Sequence, residues 1–278
     1  MPVSKLKNLA ILILALANLA LVVLVLPNRL SVRQDREALH EALCSLYEQQ
    51  EITLSPDAIP DTVPLYVLEL KEDSSNGLQA ATALLGETVW LHETSTRYLN
   101  HYRSEFGSCS ISQSGEFAAE LVPQEQKRDL QAASRKILKE MGFSCNVLPE
   151  PQQVSADVYT VVATQQVLGV PVFSGGLELT WTDGCLTAMN GTFFAGANGL
   201  SRVSDSSCMS AADALVKFLS VRYELGWLGS AVTGLQQGYI RSETAAAATV
   251  RLTPVWRLET DTGRYQINGM TGDIVAIP

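Results

Sequence analysis

The sequence predicts an α+β protein: an N-terminal transmembrane helix, then two similar units, each a helix plus an antiparallel β-meander. An unbroken apolar run opens the chain. The remainder then alternates twice between a stripe of apolar residues at helical spacing and a string of short β-rich segments. Glycines and an Asp-Gly pair punctuate those strings, as hairpin turns require. No long identity links the halves, so the repeat is one of pattern. The expected division is a cytoplasmic tail over 1–8, a transmembrane helix over 9–26, a juxtamembrane helix and linker over 27–56, a first α+β domain over 57–145 and a second over 146–278.

The opening run, LAILILALANLALVVLVL over residues 9–26, is apolar except for Asn18. Crossing the hydrocarbon core takes roughly 17–25 such residues. A cleaved signal peptide has an apolar region of ~7–15 residues and a small-x-small cleavage site. This run is longer, and Leu24-Val25-Leu26-Pro27 offers no such site, which favours a retained anchor. An all-round apolar helix of this length at the start of the chain also argues against a buried soluble helix. Lys5 and Lys7 precede the run and Arg29, Arg33 and Arg36 follow it, so basic residues do not decide its orientation. A long following domain can be translocated regardless of charge. The expected topology is therefore a single-pass cell-membrane protein with the short tail inside and the domain extracytoplasmic.

Asn18 marks one face of that helix. Side-chain hydrogen bonds between membrane helices average about 0.6 kcal/mol, enough to select a face. Leu14, Ala15, Leu21 and Val22 share the face by helical spacing, and Ala15 is small enough to admit another helix. These five residues form the candidate transmembrane interaction face. An amide that snorkels or bonds its own backbone is the alternative.

The chain has 278 residues and a net charge of −9, and five of its twenty basic residues lie at or before Arg36. The remainder is thus more acidic than the whole, which argues against a nucleic-acid partner. The arginines at the helix end suit contact with membrane lipid headgroups. Cys44, Cys109, Cys145, Cys185 and Cys208 form no C-x-x-C pair and stand at no metal-ligand spacing with histidine. They read as scattered thiols that pack as small hydrophobes.

In order along the chain, residues 31–50 read as a helix with Leu39, Leu43, Leu46 and Tyr47 on one stripe. Pro56, Pro60 and Pro64 mark a linker. A strand over 65–70 is followed by a helix carrying Leu78, Ala81, Leu84 and Leu85 that ends at Gly86. Residues 88–92, 96–102 and 117–122 read as strands of the first meander. Pro123 suits the first turn of the next helix, whose apolar face is Leu130, Ala133, Ile137, Leu138 and Met141. Strands over 158–164, 170–173, 177–182 and 185–194 follow, with Asp183-Gly184 as a turn. Ser210 and Asp213 resemble a capping box opening a helix with Leu215, Val216 and Leu219. Strands over 234–242, 250–259, 264–268 and 274–277 close the chain.

The chemistry-bearing motifs are few. Histidine occurs at 40, 92 and 101 alone. There is no G-x-S-x-G elbow, no H-E-x-x-H, no P-loop, and no G-x-G-x-x-G that opens a helix. Asp57 and Asp61 form a possible carboxylate pair or weak calcium site, but a solvated linker explains them more simply. Asn190-Gly191-Thr192 fits a glycosylation acceptor pattern and also reads as a turn. The expectation is a protein without catalytic residues, cofactor or metal.

The opening, with Ser4-Lys5, Lys7-Asn8, the apolar helix and Asn18-Leu19 within it, resembles the start of YycI proteins, although Val3 stands where those carry tryptophan. The long acidic domain of helix-plus-meander units resembles YycI and its relative YycH. Pro254-Val255-Trp256-Arg257-Leu258-Glu259, Gly263-Arg264-Tyr265 and Thr271-Gly272-Asp273-Ile274 resemble a PepSY-type hairpin. The resemblance implies a membrane-anchored accessory regulator that modulates a two-component sensor histidine kinase governing the cell wall. Its implied partners are that kinase and a YycH-like accessory protein, met through transmembrane and outer-domain contacts, with no catalytic residues. Two other readings stand beside it. One is an extracytoplasmic surface domain that binds a peptide or wall fragment in a sheet groove. The other is a hydrolase assembled from distant residues.

Overall fold

The computed structural model describes residues 35–71, 74–87, 89–92, 99–112, 115–192, 200–243 and 249–277. Helix α1 covers 35–48. Then come β1 (Thr53–Leu54), a 3-10 turn (Pro56–Ala58), β2 (Leu68–Lys71), α2 (Ser74–Leu85), β3 (Trp90–Leu91), β4 (Leu99–Ser104), β5 (Gly107–Ser112) and β6 (Glu116–Leu121). The middle holds α3 (Leu130–Glu140), β7 (Cys145–Val147), β8 (Gln152–Ser155), β9 (Val158–Val167), β10 (Val170–Thr182), β11 (Cys185–Thr192) and β12 (Leu200–Arg202). The chain ends with α4 (Ala211–Val221), β13 (Ala231–Glu243), β14 (Thr249–Thr260), β15 (Arg264–Asn268) and β16 (Ile274–Ile277).

Local chemistry accounts for the boundaries. Ser210 Oγ accepts from the Asp213 N–H at 3.1 Å, and Asp213 Oδ2 accepts from the Ser210 N–H at 3.3 Å, a reciprocal cap that starts α4. Helix α3 starts at its own cap, Asp129, whose carboxylate accepts from the Ala132 N–H at 2.9 Å. Pro123 therefore lies in the preceding loop rather than in the first helical turn. Asp183 and Gly184, with φ of 51° and 74°, form the two-residue turn from β10 to β11. Both central residues need positive φ in that turn type, which Asp-Gly supplies at low steric cost.

The two-unit α+β architecture is corrected. The described residues are mostly β, with sixteen strands hydrogen-bonded into one mixed sheet and four helices packed on it. The main path runs β12-β2-β14-β13-β10-β11-β6-β5-β4-β3. Strand pairing ignores the expected halves. β2, from the first half, lies between β12 and β14, and β1 runs parallel to β13. In the other direction β11 pairs with β6 of the first meander. The expected boundary at 145/146 falls at the first residues of β7, which pairs with β9. The PepSY-like pair of serial units is thus replaced by one interleaved sheet.

β10 holds the whole together. Its later part pairs antiparallel with both β9 and β11. Its earlier part meets β13 in parallel at Val172 and Tyr239. The ladder to β9 runs through both parts but shifts register between Pro171 and Gly176, where the strand bends and its second partner changes from β13 to β11. Two cores lie on either side of this bend. One gathers Tyr47, Val172, Leu215, Phe218, Trp256 and Ile267 under α1 and α4. The other gathers Leu85, Leu138, Val161, Leu179, Trp181 and Met189 under α2 and α3. Of the expected α1 stripe, Leu43 and Tyr47 are buried and Leu39 and Leu46 are exposed. Tyr47 Oη donates to the Leu215 carbonyl at 2.9 Å, tying α1 to α4.

The single-pass anchor, and the extracytoplasmic localisation drawn from it, are also corrected. No helix among the described residues is long and apolar enough to cross a membrane. Helices α2, α3 and α4 have 12, 11 and 11 residues, against ~20 for a span. The run 9–26 on which the anchor rested lies outside the described residues.

Candidate functional site

Strand geometry sends alternate residues of β4, β5, β6 and β11 to opposite faces of the sheet. Tyr102, Cys109, Phe117, Ala119 and Met189 face the core and are buried. The opposite face carries two cross-strand rows. One is Arg103, Ser108, Glu120 and Ala188; the other is His101, Ser110, Ala118 and Asn190. Ser108, Ser110, Ala118 and Ala188 are too short to fill the space above the strands. They leave a cavity of about 460 Å³, walled by His92, His101, Arg103, Glu120 and Asn190.

β3 completes the face. Trp90 lies opposite Arg103, so it stands on the same open side, and the His92 N–H donates to the His101 carbonyl at 2.6 Å. Trp90 and Leu91 are 52% and 54% exposed, high values for large apolar side chains in a strand. β3 is the last strand on the sheet path among the described residues, so its outer edge offers N–H and C=O groups to an incoming strand. A cation on β4 and a carboxylate on β6 lie two strands apart, about 9–10 Å by strand spacing. The face thus has a low floor, an aromatic rim, charges of both signs and an edge ready for backbone pairing.

Cys109 lies beneath the floor on the core side, and burial pushes its thiol up to about 12, so it is a neutral thiol at physiological pH rather than a nucleophile. Burial pushes the Tyr102 phenol up as well. Cys44, Cys109, Cys145, Cys185 and Cys208 are all unpaired thiols.

The residues singled out in the sequence fall in several places. His92, just after β3, and His101 on β4 come together on the open face, whereas His40 is on α1. Asp61 forms an ion pair with Arg36, and Asp57 sits exposed in the 3-10 turn. No group of three or more potential metal ligands occurs among the described residues. Asn190, read as part of a turn, lies within β11 on the open face. Leu14, Ala15, Asn18, Leu21 and Val22 lie outside the described residues. Trp90, Arg103, Ser108, Ser110, Ala118 and Glu120 carried no motif. Their signal is the period-two pattern in Ser108-Cys109-Ser110 and Ala118-Ala119-Glu120, which marks a face whose outward residues stay small or polar. No protein-family model matches the chain, and no curated protein matches it.

Proposed function

We propose that the chain is a non-catalytic regulatory module whose open sheet face takes an extended polypeptide segment of a partner protein. The observation that carries this reading is the small-residue floor between Trp90, on an edge unpaired among the described residues, and the Glu120–Asn190 wall. Such a face suits strand addition, in which backbone hydrogen bonds hold the segment and alternate side chains enter the groove. The YycI-like opening of the sequence makes a sensor histidine kinase the expected partner, with a YycH-like accessory protein beside it. Binding of this kind adjusts the kinase by favouring one of its conformations over another.

A two-hybrid screen of the chain against the sensor kinases of its host, with a YycH-like protein included, tests the reading. One kinase is expected to give a signal. Ala118→Arg should weaken it at least tenfold by filling the floor. Val154→Arg on β8, where Val154 is 68% exposed, should leave it unchanged. A kinase signal insensitive to Ala118→Arg, or no kinase signal at all, contradicts the proposal. Ligand-dependent melting with short peptides or wall fragments, in the absence of any kinase signal, would instead favour the groove as a small-ligand site.

A further inference from the structure

A second cavity, of about 480 Å³, lies at the bend of β10, and it shares no lining residue with the open face. Its polar lining includes Asn146, Thr164, Gln166 and Gln236, and its apolar walls include Phe173. Arg257 supplies the only formal charge among the described lining residues. The volume falls in the range of small-ligand pockets, which concentrate where packed units join.

Arg257 is placed there by the register of the sheet. It sits opposite Gln236 on one side and Gln266 on the other. Its guanidinium carbon lies over the Phe173 ring, 3.9 Å from the centroid, a cation–π contact that holds the group in place. Among the described residues the guanidinium makes no hydrogen bond or ion pair, and its Nε is buried without an acceptor. Burial and the charge of Arg264 hold its pKa below the ordinary arginine range, with Glu259 acting in the other direction. A half-buried guanidinium with unused donors is costly unless something accepts from it. Neutral amides and hydroxyls around one planar cation match a monoanion, and a carboxylate matches the fork in a bidentate way. Phe173, with Leu148 and Val162, leaves an apolar wall for a carbon body next to that carboxylate.

We propose that this cavity is a binding site for a carboxylate on a small apolar body, held by the Arg257 guanidinium against Phe173. The same chemistry is presented by a free organic acid and by the C-terminal residue of a peptide. Saturation-transfer NMR on the full chain, with titration of each probe, distinguishes them. The probes are acetyl-leucine, acetyl-leucinamide, inorganic phosphate, and a tetrapeptide ending in leucine with a free or an amidated C-terminus. Acetyl-leucine should bind, with the amide and phosphate at least tenfold weaker. If the peptide acid binds at least tenfold more tightly than acetyl-leucine, the source is a peptide C-terminus; if not, it is a free acid. Arg257→Gln should weaken the carboxylate at least tenfold, and Arg257→Lys should fall between it and the native protein because it keeps charge but loses the fork. Gln236 is exposed, so Gln236→Leu gives a second reading should Arg257→Gln fail to fold, with a loss of at least threefold expected. The proposal is overturned if neither carboxylate binds at millimolar concentration, if the amides or phosphate bind as well as the acids, or if these variants leave binding unchanged.

Discussion

Trp181→Ala is expected to destabilise the protein by about 3–5 kcal/mol, the usual range for removing a large aromatic from a packed core. Trp181 is 1% exposed and lies in the core beneath α2 and α3. Its indole N–H donates to Ser134 Oγ at 3.1 Å, and Ser134 in turn donates to the Leu130 carbonyl at 2.7 Å. Truncation leaves a cavity and removes one of the two hydrogen bonds of a buried hydroxyl, which keeps its bond to the Leu130 carbonyl. The lost bond adds about 0.5–1.5 kcal/mol. Urea unfolding followed by circular dichroism measures the loss. A change below 1 kcal/mol would show that Trp181 is not packed as described.

Gly238→Val should act on the joint between the two cores rather than on either one. A Cβ at Gly238 would meet the Pro171 carbonyl oxygen at 2.6 Å and the Phe173 ring at 2.7 Å and 2.8 Å. The carbonyl belongs to backbone and cannot swing aside as a flexible side-chain end would. Overpacking of this kind costs about 1–3 kcal/mol, and here it forces β13 away from β10 next to the Val172–Tyr239 pair. The expected result is a lower melting midpoint and a broadened or split transition, as the two cores lose their coupling. Calorimetry of the variant beside the native protein reads both. An unchanged, single transition would show that the joint does not couple the cores.

Much of the secondary structure was legible because local chemistry wrote it. Ser210 with Asp213, Asp183 with Gly184, and Gly86 after Leu85 each mark a boundary within a few residues. The long alternating runs that became β9, β13 and β14 were equally plain. The arrangement of those strands was not. Nothing in Leu68-Glu69-Leu70 says that β2 will pair with β14, about 180 residues downstream, as the Glu69–Arg251 register requires. Serial halves are the simplest reading of two meanders, and non-local pairing overrode it. The open face was hidden for a related reason. Serines and alanines in strands carry no catalytic signature, and only the alignment of four strands turns them into a floor. Arg257 lay in plain view within a hairpin pattern, yet its meaning depends on Phe173, which the bend of β10 brings over it.

The claim that the open sheet face binds a partner segment is tested most directly by photo-cross-linking in cells. A benzophenone amino acid replaces Trp90 or Arg103, large residues on the wall of the face, or, as a control on β8, Val154. A cross-linked adduct is expected from positions 90 and 103, absent at 154, whose partner peptides belong to a sensor histidine kinase. Adducts missing at 90 and 103, or formed equally at 154, would contradict the claim.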